Sequence, residues 1–170
     1  MLTCFCIFIT TGCKKGWRDD KLSLDRTDYN GSELRIDGYY YQEKDGEFYS
    51  LYFFYKNGVL QDLGGGYTPS ELSELESKIK NGTFDNANDV KYYWGVFQVD
   101  GSGIKFEKWY GERPYPAFVR DGYIVNDTTF VITQSYRMKR GKKKVERAKD
   151  ETYHFKKFSP KPDSTNEFIK

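Results

Sequence analysis

The chain reads as a mainly β fold: an antiparallel up-and-down meander of about eight strands that closes into a small barrel. Three observations predict it. Short β-prone runs are separated by tight Asx-Gly turns, the runs alternate apolar with polar residues, and one segment alone carries a full set of helix signals.

In chain order, Arg35 to Glu43 and Glu47 to Tyr55 flank Asp45-Gly46 and form the first hairpin. Asn57-Gly58 turns the chain into Val59 to Leu63. Lys91 to Val99 meets Ile104 to Tyr110 across Asp100-Gly101-Ser102-Gly103, and Asp121-Gly122 is expected to separate Ala117 to Arg120 from Tyr123 to Val125. Phe130 to Met138 and Glu151 to Phe158 flank a last, longer loop. Successive tight reversals favour next-neighbour antiparallel pairing over βαβ crossovers. Closure of the sheet would then remove its two exposed edges.

The single short helix falls between the third and fourth strands. Thr68 is its N-cap, Pro69 its first residue, and Glu71 completes a capping box, with Leu72, Leu75 and Ile79 on one face and Asn81-Gly82 as the stop. Its leucine stripe suits a plug or lid on a barrel end. The run Phe48 to Tyr55 is aromatic on both faces, so this strand should lie under the helix or the N-terminal segment as well as facing the interior.

Strand parity nominates an interior. Tyr40, Tyr52, Trp94, Phe106, Tyr110, Tyr136 and Tyr153 fall on the face taken as inward. Buried tyrosine hydroxyls need partners, so this set is read either as the filling of a small barrel or as the lining of a polar cavity. Trp109, Tyr110 and Tyr115, beside Pro114 and Pro116, read as an exposed aromatic rim.

Little points to catalysis. His154, the one histidine, alternates away from Tyr153 and Phe155 and reads as solvent-facing. No Gly-x-Ser-x-Gly elbow is present, and a zinc site needs more than one histidine. Asp85-Asn86-Ala87-Asn88-Asp89 lacks calcium-loop spacing, and Gly64-Gly65-Gly66 lacks a following Gly-Lys-Ser/Thr. No cofactor or metal is expected, and a carboxylate-pair hydrolase ranks third among the functions considered.

Arg137 to Lys149 packs eight cations with one acid into the last hairpin. Contact with nucleic acid, contact with an anionic glycan or lipid headgroup, and a solvated tip all fit such a run. Arg137, Lys139, Arg140, Lys142, Lys143 and Lys144 are the candidate contacts for an anionic partner. The formal net charge of +2 and the lack of interleaved aromatics argue against nucleic acid.

The N-terminus is a separate matter. Leu2 to Ile9 is apolar, Thr10-Thr11-Gly12 is small, and Cys13 opens the polar stretch Lys14 to Asp20. This layout resembles the signal peptides of bacterial lipoproteins, which implies cleavage before Cys13 and lipidation of its thiol. No Lys or Arg precedes the apolar run, which points to a truncated start. Cys4 and Cys6 would leave with the signal, so no disulfide is expected in the mature chain. The expected organisation is a signal peptide over 1–12, a lipidated tether over 13–32 and the β domain over 33–170.

Asn126-Asp127-Thr128-Thr129-Phe130 and the end from Tyr153-His154-Phe155 through Ser159-Pro160-Lys161-Pro162-Asp163 carry a second likeness. Over roughly residues 34 to 168 the chain resembles the lipocalin-like lipoproteins of Bacteroidetes-type bacteria, a family largely without assigned function. The resemblance implies an outer-membrane lipoprotein, periplasmic or surface-facing, built on a lipocalin-like barrel.

The expectation is therefore a non-enzymatic, monomeric envelope protein held at the membrane by its lipid anchor. It binds a small amphipathic ligand in the barrel, against the inward aromatics. The alternative is a protein-interaction or inhibitor module that uses the basic hairpin and the aromatic rim.

Overall fold

The computed structural model describes residues 20–86, 88–111, 115–139 and 142–170. Eight antiparallel strands form a closed barrel in sequence order: β1 (Gly38–Lys44), β2 (Glu47–Phe54), β3 (Val59–Asp62), β4 (Trp94–Asp100), β5 (Gly103–Trp109), β6 (Ala117–Asn126), β7 (Thr129–Lys139) and β8 (Lys142–Lys157). Closure is made by β1 against β8, where Gly38 to Tyr41 pair with Lys157 to His154. The helix α1 (Pro69–Lys80) lies between β3 and β4.

The local signals act as their chemistry requires. Asp45 and Gly46 both take positive φ between β1 and β2, as a tight hairpin turn needs. The capping box forms in full: Thr68 accepts from the Glu71 amide while Glu71 accepts from the Thr68 amide at 2.9 Å. Asp121-Gly122 does otherwise. Instead of a turn it sits inside β6, with Ile104 paired to Gly122 on one side and Ile132 on the other. A Cβ at Gly122 would lie 1.9 Å from the Val131 carbonyl, so this glycine admits a close strand approach at a bulge.

The last loop is also strand. β7 and β8 pair as far as Lys139 with Lys142, so most of the basic run lies in a long hairpin. Arg140 and Gly141 lie outside the described residues.

Two cores result. Inside the barrel, Tyr40, Tyr52, Phe54, Phe97, Phe106, Phe130 and Tyr153 pack together, each no more than 1% exposed. Phe130 stacks on Tyr153 with centroids 4.8 Å apart, and Phe54 meets Phe97 at 4.7 Å. Outside the wall, Tyr39, Leu51, Phe53, Val59 and Trp94 form a second core with Leu72 and Ile79 of the helix and Phe158 of the C-terminal segment. The helix thus covers the outer face of the wall at β1 and β2 and does not cap a barrel end. It does so because β2 presents Leu51 and Phe53 outward, an apolar face that must be buried.

The segment read as a tether is packed from Asp20 onward. Ser23 and Leu24 donate backbone amides to Glu107 on the outer wall. Tyr29 then enters the inner core beside Phe97, its hydroxyl donating to the Leu34 carbonyl and accepting from the Leu34 amide at 2.7 Å. Tyr29 and Leu34 so close the barrel end at the β2–β3 and β6–β7 turns, where Tyr29 bonds Lys56 and Arg35 bonds Asp127.

Candidate functional site

The opposite end of the interior is polar. β6 places Arg120 on the inner face, at 8% exposure, against the hydroxyls of the aromatic layer. Its Nη1 donates to Tyr153 Oη at 2.7 Å and to Tyr52 Oη at 3.4 Å, and its Nη2 donates to Glu151 Oε2 at 2.7 Å. Arg147, half-exposed at the rim, holds the other Glu151 oxygen at 2.8 Å. One carboxylate lies between two guanidinium groups, and the cluster keeps a positive charge.

Two further inward residues extend this layer. Lys108 Nζ pairs with Asp62 at 2.7 Å, both side chains buried, and lies 4.0 Å from the Tyr110 ring centre. Arg137 sits over Phe118 at 5.5 Å and is only 5% exposed. Gly95 leaves the inner wall clear between Leu60 and Lys108, where a Cβ would fall 2.7 Å from the Lys108 Cβ.

The hydroxyls here stay protonated. Burial pushes Tyr110 up to about 12 and drives Tyr52 and Tyr153 well above the ordinary tyrosine value. Burial also works against the Arg120 charge, but the oxygens of Tyr52, Tyr110, Tyr153 and Glu151 hold its pKa above the usual guanidinium range. Arg120 Nε is buried without a hydrogen-bond partner, and the buried Tyr110 Oη makes no hydrogen bond of ordinary length and angle. Buried polar groups are rarely left so, because each costs about 1–3 kcal/mol when unsatisfied. Beside them, Arg120, Ile132, Gln134, Ser135, Arg147 and Glu151 line a crevice too tight to admit a water molecule in this conformation.

The structure brings together Tyr40, Tyr52, Phe106, Tyr110 and Tyr153 inside the barrel, as parity predicted. Tyr40 and Phe106 are in the packed layer, Tyr40 bonding the Asp127 carbonyl at 2.8 Å. Two of the set go elsewhere. Trp94 opens β4 on the outer face, because the inward positions of that strand are Gly95, Phe97 and Val99. Tyr136 also turns outward: Thr133 is an extra residue between Ile132 and Gln134, and this bulge reverses parity beyond it. Lys143 covers its ring at 4.1 Å.

The anionic-partner set divides too. Arg137 points inward and is buried, while Lys142, Lys143 and Lys144 are exposed on the hairpin. Arg140 and the Lys139 side chain lie outside the described residues, as does Cys13. In the aromatic rim, Trp109 is buried at 2% exposure with Lys91 over its ring, whereas Tyr115 is half-buried and Pro114 lies outside the described residues. His154 is exposed on the outer wall.

Sequence reading missed Arg120 and Glu151. A signal existed for Glu151, which precedes Tyr153 by two positions and so shares its face. For Arg120 the expected turn at Asp121-Gly122 concealed a strand interior.

The geometry defines a closed eight-strand antiparallel barrel with an aromatic lower interior and a cationic, hydroxyl-lined upper one. No family model, no curated protein and no solved structure matches the chain. Among the described residues, no helix is long and apolar enough to cross a membrane.

Proposed function

We propose that the chain is a non-enzymatic envelope lipoprotein of the lipocalin-like type, anchored through Cys13, that holds a small amphipathic ligand with an acidic head. The observation that carries this reading is the Arg120 cluster. A buried guanidinium with a donor to spare, a second at the rim and protonated tyrosine hydroxyls can hold a carboxylate or phosphate once the tight crevice at Arg120 and Arg147 widens to admit it. The aromatic layer below is close-packed, so the ligand lies above Tyr52 and Tyr153 and not in the depth of the barrel.

Octanoate is the probe. Titration followed by tyrosine fluorescence should saturate, and Arg120→Gln should weaken binding about tenfold or more through loss of a charge-assisted hydrogen bond. An unchanged affinity in that variant would remove Arg120 from the site.

A second reading, as a protein-interaction module, draws on one observation. Tyr123, Val125, Met138 and Val145, the large apolar residues exposed among the described ones, all belong to β6–β8, the stretch of wall that the helix core leaves bare. Silence toward octanoate, together with a discrete adduct from a photocrosslinker at Val145 in the source cells, would transfer the function to that wall.

A further inference from the structure

A separate cavity of about 310 Å³ opens on the outer side of the barrel, between β3 and the segment that leads from α1 back to β4. Leu63 and Val90 supply apolar surface, and four aromatic rings, Tyr67, Phe84, Tyr92 and Tyr93, line it while remaining partly accessible. None belongs to the Arg120 cluster. The size falls within the range of small-molecule pockets.

Each ring is fixed by its surroundings. Tyr67 donates its hydroxyl to the Leu63 carbonyl at 2.5 Å, and its backbone, beyond the end of β3, pairs with Phe48 near the start of β2. Tyr92 and Tyr93 occupy a single 3₁₀ turn, their centroids 4.6 Å apart at 45°, and Tyr92 reaches to 6.5 Å from Tyr115. Behind them Gln61, only 1% exposed, accepts from Tyr55 Oη at 2.9 Å and donates to Asn86 Oδ1 at 2.7 Å. Asn86 is held in turn by donating to the Asp163 carbonyl at 2.6 Å. Hydrogen bonds thus tie this floor to β3 and to the C-terminal segment.

Among the described residues that line the cavity, Asp85 is the charged one. The Lys108 ammonium that donates to the Tyr92 carbonyl at 3.0 Å is itself paired with Asp62. Aromatic faces carry negative potential, so rings gathered around a small space with a carboxylate at its edge attract a cation whose own hydration is weak. An ammonium with hydrogen-bonding protons would keep its water. A trimethylammonium group has none, and its methyl groups pack on ring faces.

We propose that this cavity binds a quaternary ammonium head of the choline type, with Tyr67, Phe84, Tyr92 and Tyr93 as the cage. The site is independent of the acidic-ligand site inside the barrel, and either can fail without the other.

The test is an NMR titration of the full chain with choline chloride, read on the aromatic resonances. It is paired with 3,3-dimethylbutanol, which has the same shape without the charge, and with methyl glucoside. Choline should shift the Tyr92 and Tyr93 resonances saturably, at least tenfold more tightly than the neutral alcohol. Tyr92→Leu and Phe84→Leu, which keep apolar bulk at partly exposed positions, should each weaken choline by several-fold while octanoate binding is retained. Equal binding of alcohol and choline would make the cavity merely apolar, a preference for methyl glucoside would make it a sugar site, and no response to choline would leave it empty of this role. Each of these overturns the proposal.

Discussion

Glu151→Ala should destabilise the barrel by about 3–5 kcal/mol, read by urea denaturation. The Glu151 side chain is 6% exposed and the Arg120 side chain 10%, so removing the carboxylate leaves a guanidinium charge inside the barrel with only tyrosine oxygens around it. Arg147 loses its partner as well, but from a half-exposed position where little is at stake. For a domain of this size the loss corresponds to a fall in Tm of roughly 10 °C. Arg120→Met combined with Glu151→Leu should be far milder than Glu151→Ala, because an apolar pair avoids the desolvation of both charges. A cost below about 1 kcal/mol for Glu151→Ala would show that water reaches Arg120 freely, and the acidic-head site would lose its buried donor.

Alkaline pH should unfold the protein abruptly near pH 11. Tyr52, Tyr55, Tyr110 and Tyr153 are all raised by burial, Tyr110 to about 12, Tyr55 and Tyr153 further, and Tyr52 well above the ordinary tyrosine value. The sign follows from proton counting. Below pH 10 these tyrosines are protonated in both states, and their contribution to stability is fully present. Above it the unfolded chain releases protons that the folded chain retains, so stability falls as pH rises. At pH 11 the loss is roughly 1.4 kcal/mol for each such tyrosine. Four of them together remove an amount comparable to the whole stability of a typical domain. Tyrosinate absorbance at rising pH should show the exposed tyrosines titrating near pH 10. A cooperative step should follow, coincident with loss of near-ultraviolet circular dichroism. If all 15 tyrosines titrated smoothly with that signal intact, the buried layer described here would be wrong.

The same layer shows how far sequence reaches. Tyr40, Tyr52, Phe106 and Tyr153 were placed inward by alternation alone, because period-2 geometry holds along an uninterrupted strand. Tyr136 failed because one extra residue at Thr133 inverts the faces beyond it, and a bulge has no composition that marks it. Trp94 failed for another reason: β4 buries apolar residues on both faces, Trp94 and Val96 on one and Phe97 and Val99 on the other, so alternation does not say which face is inward. At Asp121-Gly122 the dipeptide itself was ambiguous. Glycine permits a reversal and also permits close approach of two strands, and only the neighbouring Val131 carbonyl distinguishes them.

The candidate sites were less legible than the fold. Arg120 and Glu151 are ordinary charged residues in a chain with many, and their meaning depends on being enclosed together. Phe84, Tyr92 and Tyr93 converge with Tyr67 only because the helix returns the chain to β4 beside β3.

By itself the sequence determined the hairpin turns, the capped helix and its position, and the alternating faces that make an antiparallel meander. These depend on dihedral preferences and hydrogen bonds within a few residues, which are written locally. Tertiary structure alone decided where the helix lies, how the segment from Asp20 to Leu34 closes one end, and which charges and rings share a site. Those outcomes depend on burying the outward face of β2 and on bulges that redirect side chains. Both are settled by contacts between residues far apart in the chain.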